Sequence, residues 1–282
     1  MDIIHTVAEL RARLARETTV GFVPTMGNLH QGHIDIAHVA RERASCLVVS
    51  IFVNRLQFGV NEDFDKYPRT LKDDCEYCRS AGVDVVFAPS ESEMYPTPQH
   101  YIVEPPGIQH ILEGAVRPGH FRGVSTVVLK LFNMVQPQIA VFGKKDYQQC
   151  RVLTSMVQEL NLPVELLLAE TVRAGDGLAL SSRNSYLTTT ERQEAPQLFS
   201  ALSRLKAQLL AGNSELLALE AEAMAHLAAR GWQPDYITVR RQSDLLPPEP
   251  HDRALVILGA ARLGIPRLID NIEVELPENM GR

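Results

Sequence analysis

Residues 46–53, C-L-V-V-S-I-F-V, form an almost unbroken apolar and β-branched run. A strand of that composition needs both faces covered, which is the situation of a central strand in a parallel sheet flanked by helices. An earlier apolar stretch, 20–23, is separated from it by a segment the length of one helix. Two strands joined in this way make a right-handed βαβ unit, so the chain is committed to an α/β layer within its first fifty or so residues. Between the two strands lies F-V-P-T-M-G-N-L-H-Q-G-H, residues 22–33: the end of a strand, a turn holding Pro24 and Gly27, and a helix that begins near His30.

The alternation continues along the chain. Val7, Leu10 and Leu14 recur at helical spacing within 6–16, and a further helix is expected over 70–81. A strand over 84–88, a helix over 124–135, a strand over 138–142 and a short strand near 164–168 follow. From about residue 188 the character changes. Helical runs at 191–210 and 214–230, joined by Gly212-Asn213, precede three strand-like runs at 236–240, 254–260 and 267–274. Helices and strands in separate blocks predict an α+β domain rather than more parallel sheet. The expected fold is therefore α/β, a Rossmann-like parallel-sheet domain over 1–175 with a smaller α+β C-terminal domain over 176–282, the boundary falling within 172–187.

The chemistry concentrates where strands end. A strand that runs through a glycine turn into a helix leaves backbone N–H groups pointing outward, in the positive field of the helix terminus, which suits a phosphate. His30 and His33 place two imidazoles on one face of the first turn, with Gly32 between them. A solvated helix face and a zinc pair are the other readings of H-x-G-H, although no Cys or carboxylate partners follow at ligand spacing. G-K-K-D-Y-Q-Q, residues 143–149, repeats the strand–turn–helix pattern and supplies Lys145, Asp146 and Gln149. The loop 176–187 carries two hydroxyls and Arg183 in L-S-S-R, which can grip phosphates through charge-assisted hydrogen bonds. After 53 comes a long polar loop with Asn54 and Gln57, either a reader of a small polar ligand or a mobile surface loop. Residues 114–123 set Arg117, His120 and Arg122 among glycines, which reads as a flexible cationic loop able to close over phosphates or as a solvated turn.

Composition narrows the classes. With 282 residues, 45% apolar and 22% charged, the chain is an ordinary globule in makeup. Its formal net charge of -6 argues against a general nucleic-acid surface, so phosphate binding must be local. No run of about 18 apolar residues occurs and the first residues lack a signal-peptide pattern, so a cytoplasmic location without membrane partners is expected. The four cysteines do not make a disulfide framework in a chain this long, and Cys75 and Cys78 read as helix filler.

Six stretches, P-T-M-G-N-L-H-Q-G-H, V-S-I-F-V-N-x-L-Q-F, Y-P-R-T, R-P-G-H-F-R-G-V, F-G-K-K-D-Y-Q-Q and L-S-S-R-N-x-Y-L, stand in an order and spacing that closely resemble the pantothenate synthetases (pantoate–β-alanine ligases) of the HIGH-signature nucleotidyltransferase superfamily. R-L-I-D-N near the C-terminus is also similar. The resemblance implies ATP-dependent condensation of pantoate with β-alanine through a pantoyl adenylate, with Mg2+, a C-terminal lid domain and a homodimer. It implies an ATP site made by Met26, Gly27, Asn28, Leu29, His30, Gln31, Gly32 and His33, by Gly143, Lys144, Lys145 and Asp146, and by Val172, Leu180, Ser181, Ser182 and Arg183. His33, His30, Lys145 and Arg183 would carry the catalysis. Gln57 and Gln149, with Asn54, Arg117 and His120, would serve pantoate and β-alanine; Tyr67 is a further position near them. The metal ligands are not legible, although Asp73 and Asp74 are adjacent acids that either approach magnesium or form a solvated helix start. Two positions depart from the family pattern: Lys144 stands where Glu is common, and Arg55 where Pro is common.

Overall fold

The computed structural model describes residues 1–59, 62 and 64–277. The chain divides into two compact units, Met1–Lys144 with Gln148–Glu170, and Lys145–Tyr147 with Thr171–Arg282.

The first unit is built from β1 (Asp2–Ile4), α1 (Val7–Leu14), β2 (Val20–Thr25), α2 (Gln31–Arg41), β3 (Cys46–Ile51), α3 (Leu71–Ser80), β4 (Val85–Phe87), α4 (Glu91–Met94), α5 (Glu113–Val116), α6 (His120–Val135), β5 (Ile139–Gly143), α7 (Tyr147–Glu159) and β6 (Glu165–Ala169). The six strands pair in the order β1-β4-β3-β2-β5-β6, every neighbour parallel. As anticipated from its composition, β3 is central, buried from Cys46 to Ser50 and paired with β2 along its whole length. Alternate strand residues feed two cores. Phe22, Val48, Phe87 and Phe142 join residues of α1, α6 and α7 on one side, while Val23, Leu47, Val49, Val86 and Val141 meet α2 and α3 on the other. Cys75 and Cys78 belong to the second of these layers, and burial pushes the Cys78 thiol up to about 12. The chain winds outward from β2 to β3 and β4, then returns to place β5 on the other side of β2. The ends of β2 and β5 therefore flank the point where strand order reverses, which is where open α/β sheets bind ligands.

The second unit holds α8 (Thr189–Glu194), α9 (Gln197–Leu210), α10 (Leu216–Ala229) and an antiparallel sheet β7 (Gln233–Arg241), β8 (Ala254–Arg262), β9 (Arg267–Glu275) in that order. Leu198, Leu202 and Leu205 of α9 pack with Ile237, Ile257 and Leu268 of the sheet in a core of its own.

Three expectations change. The single helix read over 191–210 is two helices, because Pro196 lacks an N–H and its ring would meet the carbonyl four residues back. The helix expected from 124 begins at His120, so that the supposed loop 114–123 is instead α5, a left-handed Gly119 (φ +81°) and the first turn of α6. β1 escaped notice because three residues are too few to show a period. Among the described residues, no helix is long and apolar enough to cross a membrane.

Candidate active site

The turn after β2 is held from below. Gly27 and Asn28 take positive φ, +82° and +51°. Asp74 of α3, 1% exposed, accepts from the Asn28 N–H at 3.1 Å and the Leu29 N–H at 2.7 Å, while the Thr70 hydroxyl donates to it at 3.2 Å. The Gly27 N–H goes to Thr25 Oγ1, which itself donates to the Ser50 carbonyl. A Cβ on Gly27 would lie 2.9 Å from Asp74 Oδ2, so the residue is glycine for space as well as for φ. Burial holds the Asp74 carboxyl above the usual carboxylate range, although its three hydrogen bonds favour the ionised form. This overturns two expectations. Asp74 is the anchor of the turn and not part of a solvated helix start, and the N–H groups of residues 27–29 are satisfied within the protein instead of forming an open cradle.

What the turn offers instead is imidazole. His30 caps α2: its Nδ1 accepts from the Gly32 N–H at 3.1 Å, and His33 Nδ1 accepts from the His30 N–H at 3.2 Å. A ring nitrogen that accepts from a backbone N–H carries no proton, so each neutral ring has its hydrogen on Nε2 and is a donor there. The ring centroids are 4.2 Å apart and tilted by 43°. Leu29 is buried in the core beneath them, Met26 is half-buried, and exposed Gln31 donates to Asp35 along the outside of α2.

At the end of neighbouring β5, Gly143 pairs with Ala169 of β6, and a Cβ there would lie 3.0 Å from Ile36 Cδ1 of α2. The end of β5 thus lies against α2. Lys144 opens the short 3-10 turn Lys144–Asp146, and its ammonium donates to Glu170 Oε1 at 2.6 Å. Gln148 is buried and structural, donating to the Ile108 and Ile111 carbonyls, whereas Gln149 is half-buried.

The segment after β3 is ordered around Asn54, 1% exposed, which caps the 3-10 turn Arg55–Gln57. Its amide donates to Gln57 Oε1 at 3.1 Å and to the Gly123 carbonyl at 3.3 Å, while its Oδ1 accepts from the Tyr95 hydroxyl at 2.8 Å. Gln57 is thereby oriented with its NH2 group away from Asn54. The His120 Nδ1–H donates to the Gln57 carbonyl at 2.9 Å, and His120 Nε2 accepts from Arg117 Nη1 at 3.1 Å. Arg117 also makes two bonds to the Glu62 carboxylate, at 2.6 and 2.7 Å. Burial, reinforced by the Arg117 charge, pushes the His120 pKa down to about 4. Burial alone would raise that of Glu62, but the bonds and charge of Arg117 outweigh it and hold the carboxyl below its ordinary value. Arg117 and His120 therefore support the Gln57 turn from in and beside α6, a correction to their reading as a flexible cationic loop; Glu62, missed in the sequence, is the carboxylate partner of Arg117. Tyr67 is buried against Phe58, and Arg55, the departure from family pattern, pairs with exposed Glu91 and stacks 4.0 Å over Phe64.

In the second unit, Val172 and Leu180 face each other across a small hairpin, the Leu180 N–H donating to the Val172 carbonyl at 2.9 Å. Ser181 caps the 3-10 turn Ser182–Tyr186, accepting from the Arg183 N–H at 3.3 Å, so the S-S-R stretch is a capped turn and not an irregular loop. Lys145, grouped with this unit, lies 3.7 Å from Asp146 Oδ1. Among the described residues, no group of three or more His, Cys, Asp or Glu side chains is arranged to hold a metal ion.

Residues 2–273 match the family model described as pantoate-beta-alanine ligase. The chain belongs to the pantoate-beta-alanine ligase family. Pantothenate synthetases of Nitrosospira multiformis and Nitrosomonas europaea are similar to it throughout: the first is 53% identical over 274 residues, covering 97% of this chain and 98% of the relative, and the second 56% over 277 residues, covering 98% and 100%. The crystal structure of pantothenate synthetase from Thermus thermophilus superposes with a TM-score of 0.93 at 46% identity, over 98% of this chain and 100% of that one. Pantoate-beta-alanine ligase from Francisella tularensis, solved in complex with beta-gamma ATP and beta-alanine, gives 0.82 at 34% identity, over 97% of each chain. Membership of the pantoate-beta-alanine ligase family makes the chain a ligase, and both the six-stranded parallel sheet and the small antiparallel sheet accord with those structures.

Proposed function

We propose that this chain condenses (R)-pantoate with β-alanine, using ATP, through a pantoyl adenylate. A pantoate carboxylate oxygen attacks the α-phosphorus and pyrophosphate leaves; the β-alanine nitrogen then attacks the activated carbonyl, loses a proton and displaces AMP. The substrate brings its own nucleophile, so the protein's work is alignment and charge stabilisation.

The reciprocal cap of His30 and His33 is the observation that carries this reading. It fixes both rings as Nε2–H donors at the strand-order reversal, where phosphoryl oxygens gain charge. Met26 through His33, Gly143 through Asp146, Val172 and Leu180 through Arg183 bind ATP, with Lys145 and Arg183 as the cations that neutralise its phosphates. Magnesium would be carried in by ATP as part of the substrate and would supply charge neutralisation on the phosphates. Gln57 and Gln149 hold pantoate by amides that both donate and accept, Gln57 also meeting β-alanine, while Asn54, Arg117 and His120 complete the pantoate and β-alanine site and keep Gln57 in place. Residues 1–175 form the ATP and pantoate domain, residues 176–282 a lid, and the enzyme works as a cytoplasmic homodimer.

The test is to supply MgATP with pantoate and β-alanine singly and together while following AMP, pyrophosphate and pantothenate. AMP release that needs both acids, pantoate-dependent exchange of pyrophosphate into ATP without β-alanine, and transfer of 18O from the pantoate carboxylate to AMP are expected. Turnover with neither acid, or none at all, rejects the proposal, and 18O absent from AMP rejects the adenylate.

A further inference from the structure

R-L-I-D-N, residues 267–271 of β9, has no part in the chemistry above, yet Asp270 and Asn271 are consecutive and each only 5% exposed. Two successive buried polar side chains cannot both face water, so each needs a protein partner. Asp270 takes a two-pronged pair from Arg173, Nη1 at 2.6 Å and Nη2 at 2.8 Å. The same guanidinium donates to the Gly177 and Asn271 carbonyls and lies 3.8 Å over the Phe199 ring. Asp270 Oδ1 also accepts from the Asn271 N–H at 2.7 Å, which fixes the backbone from which the Asn271 side chain projects. That side chain donates to the Lys145 carbonyl at 3.0 Å. Two residues on, Glu273 Oε1 accepts from the Tyr147 hydroxyl at 2.9 Å, and the Glu273 carbonyl accepts from the Lys206 ammonium. Both ends of the three-residue segment Lys145–Tyr147 are thus tied to β9, and the segment groups with the second unit while Lys144 and Gln148 group with the first.

We infer that Asn271 and Tyr147, backed by the Arg173–Asp270 pair, position the peptide carrying Lys145, so that the backbone behind the ammonium is held by β9. Asn271 is a positioning residue acting through Lys145. The inference rests on the reading that Lys145 meets the ATP phosphates, where misplacement by about 1 Å is enough to lose about 10²-fold in rate.

Asn271→Ala is expected to lower kcat/KM for ATP in pantoate-dependent pyrophosphate release by about 10- to 100-fold, with KM for β-alanine nearly unchanged. In a Lys145→Ala background the same substitution is expected to change the rate less than about twofold, because residues acting as one unit are not additive. Equal fold-losses in both backgrounds, or equal losses for every substrate, would mean a merely structural role and overturn the inference. Tyr147→Phe, which keeps the ring and removes only the bond to Glu273, serves if Asn271→Ala does not fold, and is expected to give a smaller loss with the same dependence on Lys145. Hydrogen exchange without substrates separates this inference from the functional proposal: faster exchange at 145–147 in the variant, with β8 and β9 unchanged, is expected whether or not the wild type makes pantothenate, and unaltered exchange at 145–147 overturns the anchoring.

Discussion

At the scale of single residues, the imidazole pair does two jobs. His33 satisfies the His30 N–H through Nδ1, and in the proposed reaction its Nε2–H serves the phosphates. His33→Ala is expected to reduce pantoate-dependent pyrophosphate release by about 10²-fold or more and to lower stability by only about 1 kcal/mol, the typical cost of a lost helix cap; near-normal pyrophosphate release would remove His33 from the chemistry. His120 makes a pH prediction. Its ordinary pKa is 6.5 and the folded protein lowers it to about 4, so between those values the unfolded chain binds the proton and the folded chain does not. Stability contributed by the neutral ring is therefore complete above about pH 6.5 and is lost as pH falls toward 4, by about 3 kcal/mol at most. Thermal unfolding of His120→Asn, followed from pH 7 to 4, is expected to show a shallower decline than the wild type; parallel curves would contradict the assignment. Lys144 is a milder case, because its partner Glu170 is 81% exposed. Glu170→Gln is expected to shift stability by less than about 1 kcal/mol.

At the scale of elements, α6 and the Arg55–Gln57 turn approach each other closely. A Cβ on Gly123 would lie 2.2 Å from the Leu56 carbonyl oxygen and 2.6 Å from Gln57 Cα, both backbone, so neither can swing aside. Gly123→Ala must push the helix and the turn apart, breaking the Asn54–Gly123 bond and displacing Gln57. We expect a loss of about 1–3 kcal/mol in stability and a raised KM for pantoate with little change in KM for ATP. A rise confined to ATP would place Gln57 elsewhere. The helical period announced α6 but not its start, because the first turn is spent on His120, Phe121 and Gly123, buried for contact with the preceding turn and not for an apolar stripe. Likewise α3 was legible as a helix, while the job of Asp74 on it was not, since the backbone it holds lies 45 and 46 residues earlier.

At the scale of the whole molecule, two sets of core residues share no member, one divided over the faces of the parallel sheet and one beside the antiparallel sheet. Natural probes separate them: all four cysteines are buried in the first unit, and the single tryptophan, Trp232, is buried in the second. Denaturant titrations read by thiol labelling and by tryptophan fluorescence are expected to give different midpoints, each core melting on its own; superimposed curves would show one cooperative transition.

The sequence by itself determined the alternation of strands and helices, the switch to an α+β block, and the motifs that carry the family, because periodicity, turn chemistry and short motifs are local properties. Only the tertiary structure decided which partner each buried polar group takes. Asp74 closes the β2 turn, Glu62 claims Arg117, and Asn271 claims the Lys145 carbonyl from 126 residues away. Those pairings follow from how distant segments pack, and a buried donor or acceptor must be satisfied by whatever packing brings to it.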